Sequence, residues 1–214
     1  MKFTTIQQKA FESIAKNSAI QERFYFTGGT ALSVFHLDHR LSEDLDFFTS
    51  GDISTDITTP LATSIAETLH LSVKFTQINN TYIYEFGPED AFELKIDFAL
   101  YPYKRLEKGF MYQNISIDSM IDIGANKIAA VTDRIEVKDF ADLFFILQHC
   151  TTWDLLRAYE KKFGVELDLV LFCSNLLAVE SFEYLPNMIK PLTLNELKTY
   201  FFSLSDRIGK TITT

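Results

Sequence analysis

The chain of 214 residues carries 20 Lys and Arg against 29 Asp and Glu, a formal charge of −9, with 47% hydrophobic and 23% charged residues. That balance is ordinary for a globular protein and excludes a disordered or fibrous chain. It also argues against sequence-blind coating of DNA, which needs a broad positive surface to release counterions, while leaving room for a local basic groove. The opening segment MKFTTIQQKAFESIAKN holds no apolar run of signal-peptide length, and no stretch approaches the roughly 18 apolar residues of a membrane span. A cytoplasmic location without a membrane partner is the expectation. Cys150 and Cys173 both fall in apolar, helix-like stretches and read as buried free thiols of a reducing compartment.

Ile6, Ala10, Phe11 and Ile14 recur at helical spacing and predict an amphipathic helix over 5–17. The apolar run 23–27 predicts a strand that enters Gly28-Gly29, followed by a helix to Leu37 with Thr30 as a cap near its start. Residues 45–50 form the next predicted strand, and Pro60 marks the first turn of a helix ending near His70. Strands over 71–78, 81–87 and 91–100 are separated by the turn chemistry of Asn79-Asn80 and Gly87-Pro88-Glu89-Asp90, the pattern of an antiparallel meander. Beyond about residue 115 the period becomes helical, with helices over 118–134, 138–150, 153–164 and 168–182 and a last one from Thr193 to Asp206. The expected class is α+β: a mixed sheet with flanking helices over 1–115, then an all-helical domain over 116–214 packed against it.

The chemistry concentrates in FTGGTALSVFHLDHRLSEDLDFF, residues 26–48. Gly28-Gly29 stands between a strand and a helix, where the backbone turns sharply and can approach a ligand. Unpaired amides at the helix start favour a phosphate there, and Thr30 offers a hydroxyl. A plain tight turn explains the glycines equally well. Asp44 and Asp46 are two apart on a strand, so both carboxylates leave one face while Leu45 enters the core. Side by side they repel unless a cation lies between them, most simply Mg²⁺ or Mn²⁺; a solvated strand end is the bland alternative. Asp97 sits between Ile96 and Phe98, where a carboxylate is unfavourable unless paired or metal-bound. Alternation puts Lys95, Asp97 and Ala99 on one face of that strand. Beside the Asp44–Asp46 strand, Asp97 would complete a set of three acids able to hold two metal ions.

Gly-Gly-Thr-Ala-Leu followed by Arg40-x-Ser42-x-Asp44-x-Asp46-Phe resembles the AbiEii/AbiGii-type toxin nucleotidyltransferases, a branch of the DNA polymerase β-like superfamily. The resemblance extends to ANKIAAVTDRIEVKDFADLFFIL, residues 125–147, which is similar to the family's second signature. It implies a polymerase-β-like fold and Mg²⁺-dependent transfer of a nucleoside monophosphate from an NTP to an acceptor. It further implies an RNA acceptor, tRNA foremost, and a cognate antitoxin partner in a toxin–antitoxin or phage-defence system. Asp44, Asp46 and Asp97 are then the metal ligands, and Gly28, Gly29, Thr30, Arg40, Ser42 and Lys127 the nucleotide-binding residues. Lys127, Arg134, Asp139 and Asp142 match the second signature, with Lys138 where an Arg is expected.

Among these, Lys127 lies on a helix of small and apolar residues, and either reaches solvent along its stem or meets a negative ligand such as triphosphate. Asp139 and Asp142 share a helix face. One of them orients Lys127 or helps activate the acceptor, or they form a structural salt bridge. Arg40 either contacts triphosphate or holds the Asp strand through a bidentate pair, and Ser42 caps the turn or touches the γ-phosphate. Two rival functions stand beside transfer to RNA: a nucleotide-binding module without turnover, and a small-molecule nucleotidyltransferase of the antibiotic-modifying type.

His36 and His39 have no Cys or third His nearby, which disfavours zinc. Trp153 reads as a core aromatic at a helix start. The cluster Lys104-Arg105-Leu106-Glu107-Lys108 is a solvated face or a steering patch for RNA phosphate. Neither a P-loop nor a nucleophile elbow is present.

Overall fold

The computed structural model describes residues 3–212. By contacts the chain divides into two compact units. One takes the chain up to His36 and again over Ser42–Ser119; the other takes Leu37–Leu41 and the chain from Met120 onward. The predicted domains divide at 115/116 and leave residues 37–41 with the first.

The first unit begins with α1 (Thr5–Ile14), closed at its start by a capping box between Thr4 and Gln7. It ends three residues before the predicted boundary, because Asn17 caps a separate short helix, α2 (Ser18–Arg23). Then come β1 (Tyr25–Thr27), α3 (Gly28–Leu32), a π-helical turn Ser33–Leu37, and β2 (Asp44–Thr49). Next, α4 spans Thr55–Leu69 and contains Pro60 in its interior. The helix therefore starts five residues earlier than predicted. Ser54 caps it by accepting from the Asp56 amide, and the exposed first turn leaves to water the carbonyl that Pro60 cannot bond. Strands β3 (Val73–Ile78), β4 (Thr81–Phe86) and β5 (Leu94–Leu100) form the expected meander. A hairpin of β6 (Phe110–Tyr112) and β7 (Ile115–Ile117) was not legible in the sequence: each strand has three residues, too few to show alternation. Its tight turn uses positive φ at Gln113 and Asn114.

The seven strands form one mixed sheet in the order β3-β4-β5-β2-β1-β7-β6. The pairs β2–β5 and β1–β7 are parallel and the rest antiparallel. Along β2, Leu45, Phe47 and Thr49 are buried while Asp44, Asp46 and Phe48 lie half-exposed on the other face. Phe47 stacks on Phe98 at a ring distance of 5.5 Å and packs tilted against Phe26 at 5.1 Å, and Phe26 meets Phe11 edge-to-face at 5.2 Å. Each such ring withdrawn from water contributes on the order of 1.5–3 kcal/mol. Together they set which face of β2 points inward.

The second unit contains α5 (Met120–Asp133), α6 (Val137–Ile146), α7 (Thr152–Phe163), α8 (Leu169–Leu177), a 3₁₀ turn Ala178–Ser181, and α9 (Leu194–Ile212). Its core is built from Ile128, Phe140, Leu143, Phe172, Leu176, Phe201 and Leu204, all buried. A Cβ on Gly124 would stand 2.6 Å from Leu155 Cδ1, so a glycine lets α5 and α7 approach closely. Two expectations are corrected. Trp153 is 42% exposed rather than core, because α7 turns its opposite face, with Leu155 and Leu156, inward. Cys150 and Cys173 are free thiols but only partly buried. Among the described residues no helix is long and apolar enough to cross a membrane.

Candidate active site

In the first unit β1 ends at Thr27 and the chain enters α3 through Gly28, whose φ is +76°. A Cβ there would stand 2.0 Å from Asp46 Oδ2. Glycine is therefore required twice, for its backbone conformation and because the Asp46 carboxylate lies directly against it. The parallel register of β2 and β5 sets Asp44 opposite Lys95 and Asp46 opposite Asp97. Asp44, Asp46 and Asp97 thus share one face of two adjacent strands. Thr30, assigned a phosphate-facing hydroxyl and a cap by sequence, does neither: the helix starts at Gly28, and the buried Thr30 hydroxyl donates to the Asp44 carbonyl. Its position inside the first turn of α3 aims it at β2, so it anchors the acidic strand. Ser42 is similarly tied through its backbone, its carbonyl and that of Glu43 accepting from Gln7 Nε2 at 2.7 and 3.0 Å.

The cluster has a resident cation. Lys95 Nζ lies 2.8 Å from Asp97 Oδ2 and 3.4 Å from Asp44 Oδ2. Burial works to lower the Lys95 pKa, but the hydrogen bond and charge of Asp97, with Asp44 and Asp46, outweigh it and raise it. Burial pushes the Asp97 carboxyl up, tempered by Lys95. Asp97 is 14% exposed, and its Oδ1 is buried without a hydrogen-bond partner. Among the described residues no three His, Cys, Asp or Glu side chains stand close enough to cage a metal ion as they are. The donor set nevertheless suits a hard divalent cation: three carboxylates on adjacent strands, one with an unsatisfied buried oxygen.

A buried network supports the glycine turn from behind. Thr27 donates its hydroxyl to Asp118 Oδ2 at 2.8 Å, and Arg105 Nε donates to Asp118 Oδ1 at 2.9 Å. Arg105 also donates to Ser116, Lys108 and Ile117 and lies over the Tyr25 ring. Arg105 is therefore a structural residue, in a cluster expected to be a solvated face or a steering patch for RNA phosphate. His36 Nε2 donates to the Asp118 carbonyl at 2.9 Å, and burial lowers its pKa, so the ring is uncharged near neutrality.

The second-signature residues form a closed ion cluster in the second unit. Lys127 Nζ lies 2.6 Å from both Asp139 Oδ1 and Asp142 Oδ2. Arg40 grips Asp142 with Nε at 2.6 Å from Oδ1 and Nη2 at 2.8 Å from Oδ2, and His39 Nε2 is 2.7 Å from Oδ1. Arg134 Nε completes the set at 2.9 Å from Asp139 Oδ2. Burial alone would raise both aspartates, but Lys127 with Arg40 at Asp142, and Lys127 with Arg134 at Asp139, hold them below the usual carboxylate range. Burial likewise opposes the charge on Lys127, and the two carboxylates more than compensate, raising it. Both aspartates therefore orient Lys127. Arg40 makes the bidentate pair foreseen for it, but with Asp142 instead of the Asp44–Asp46 strand. The reason is local: Leu37–Leu41 is laid along the 187–190 segment, with Leu41 N bonding Asn187 O and Ile189 N and Lys190 N bonding His39 O. Lys138 instead pairs with Glu136 at the surface, at 3.0 Å.

The model of the nucleotidyl transferase AbiEii toxin family, of type IV toxin–antitoxin systems, matches residues 10–201. The chain belongs to the AbiEii family. An uncharacterized protein of Aquifex aeolicus (strain VF5) is 29% identical over 181 residues, 81% of this chain and 82% of that one. The crystal structure of JHP933 from Helicobacter pylori shares the fold with a TM-score of 0.56 at 20% identity, covering 96% of this chain and 91% of its own. This AbiEii chain is a nucleotidyltransferase, with a nucleoside triphosphate as substrate. Its mixed sheet with flanking helices is the expected α+β class. Sequence reasoning gave no role in the AbiEii site to Lys95, Asp118, Gln7 or His39. Lys95 alone left a signal, its two-residue spacing from Asp97.

Proposed function

We propose that the chain is the toxin of a bacterial toxin–antitoxin pair, transferring a nucleoside monophosphate from an NTP to an RNA acceptor, tRNA foremost, in the cytoplasm. The observation that carries the reading is the juxtaposition of Asp44, Asp46 and Asp97 on parallel strands against the positive-φ turn at Gly28. Backbone amides of the Gly28-Gly29 turn receive the phosphates. Asp44, Asp46 and Asp97 hold Mg²⁺ or Mn²⁺, which neutralises phosphate charge and polarises the reacting oxygens. Asp97, its basicity increased by burial, helps deprotonate the acceptor hydroxyl. That oxygen then bonds to the α-phosphorus while the bond from this phosphorus to the β-phosphate oxygen breaks, releasing pyrophosphate. Lys127, Asp139, Asp142 and Arg40 act as positioning residues: they secure Leu37–Leu41, the segment that leads into β2.

The test is transfer of label from each α-³²P-labelled NTP into total bacterial RNA with Mg²⁺, comparing the protein with Asp46→Asn. A labelled tRNA band that the variant fails to make supports the proposal. Equal labelling by the two proteins overturns the metal assignment, and labelling of small molecules alone overturns the RNA acceptor. Induced expression of the protein, but not of Asp46→Asn, should arrest bacterial growth.

A further inference from the structure

Lys95 is the one side chain of the acidic cluster that repels a divalent cation, yet it sits where such a cation is needed. Its Nζ bridges Asp97 Oδ2 and Asp44 Oδ2 at 2.8 and 3.4 Å. It is two-thirds buried on the strand that also carries Asp97, so the strand alternation itself delivers the ammonium to the carboxylate face. No helix end or mobile loop is involved; Lys95 is opposite Asp44 in the register of β2 and β5.

We propose that Lys95 is an internal counter-ion that stands in for one metal ion and competes with divalent cations for the Asp44–Asp97 side of the cluster. The inference rests on the metal-site reading given above. Three carboxylates brought together without a cation destabilise the sheet by mutual repulsion. Lys95 relieves that repulsion in the metal-free protein, so the fold does not depend on metal. The same ammonium raises the concentration of free metal needed to load the site. The oxygen it leaves to an incoming cation is the unpartnered Asp97 Oδ1, with Asp46 opposite Asp97 in the register. The divalent ion is accordingly taken up with the triphosphate, whose oxygens supply the ligands and negative charge that tip the competition. The chain then carries no preloaded pair of metals.

The experiment measures Mn²⁺ binding to the nucleotide-free protein by the loss of free-ion EPR signal, together with melting in EDTA and in Mg²⁺. The wild type should bind weakly and melt at nearly the same temperature in both. Lys95→Met should bind Mn²⁺ about tenfold tighter, the scale expected for removing one like charge at ion-pair distance from a partly exposed site. It should also melt lower in EDTA and recover in Mg²⁺. Lys95→Arg, which keeps the charge, should bind as weakly as the wild type. Equal Mn²⁺ affinity in wild type and Lys95→Met, with binding lost in Asp46→Asn, overturns the counter-ion role and leaves the metal site standing. Tight binding by Lys95→Arg overturns it as well, since the effect would then lie in side-chain shape. Unaltered binding in Asp46→Asn removes the metal site and the proposal together.

Discussion

The protein contains two clusters of acids and bases that are alike in composition and opposite in completeness. In the helical unit every carboxylate oxygen of Asp139 and Asp142 has a cationic or imidazole partner, and both side chains are fully buried. On the sheet, Asp44 and Asp97 share Lys95, Asp44 is 36% exposed, and Asp97 Oδ1 has no partner. A buried charge is tolerated only when its neighbours replace the lost water, and the helical cluster meets that condition by itself. The sheet cluster does not, and its excess negative charge faces an accessible surface.

Several substitutions would break or sharpen that contrast. The largest effect is expected at the open cluster's backbone. Gly28→Ala places a methyl on the Asp46 carboxylate and strains a left-handed φ. Misplacing a reacting group by about an ångström lowers rate by about a hundredfold, so label transfer should fall at least that far while the circular dichroism spectrum is retained. Next comes Asp142→Ala, which takes from Arg40 its bidentate partner and from Lys127 one of its two carboxylates. It should destabilise the chain by about 3–5 kcal/mol, read from urea unfolding.

The closed cluster also has a pH signature. Asp139 and Asp142 lie below their ordinary value of 3.8 in the folded chain. Their stabilisation is therefore present above that value and is lost as the pH falls below it toward the folded value. Acid unfolding followed by fluorescence should show this loss, and Asp142→Asn should flatten it. A steep unchanged profile in Asp142→Asn would place the acid sensitivity elsewhere. A smaller effect is expected behind the glycine turn. Thr27→Val leaves Asp118 Oδ2 short of a buried donor and should cost about 1–3 kcal/mol. The smallest belongs to Lys138→Ala: the Lys138–Glu136 pair is solvent-exposed, so unfolding should change by less than about 1 kcal/mol. A larger change there would show that closeness in sequence to Asp139, and not burial, governs the closed cluster.

Much of the site was legible in the chain. The alternation of Asp44-Leu45-Asp46 fixes two carboxylates on one face whatever the strand packs against, and Gly28-Gly29 before a helix marks the turn that accommodates them. Asp97 was legible as an acid among apolar neighbours. The weaker expectations share a cause. Arg40 and Lys127 were each left open between triphosphate and a protein partner, and Thr30 between a helix cap and a phosphate; each has a partner within the protein. Residue type shows what a side chain can bond and leaves open which partner reaches it first.

Local periodicity is carried by covalent geometry, so sequence by itself determined the helices, the meander and the direction in which Asp44 and Asp46 point. Pairing is different. Arg40 and Asp142 are 102 residues apart, and Lys95 meets Asp44 only because β5 lies parallel to β2 in one register. Shifting that register by one residue would turn Lys95, and Asp97 with it, away from Asp44 and Asp46. Electrostatic attraction has no period and no sequence order; with 20 basic and 29 acidic residues available, only the tertiary structure selected which of them meet.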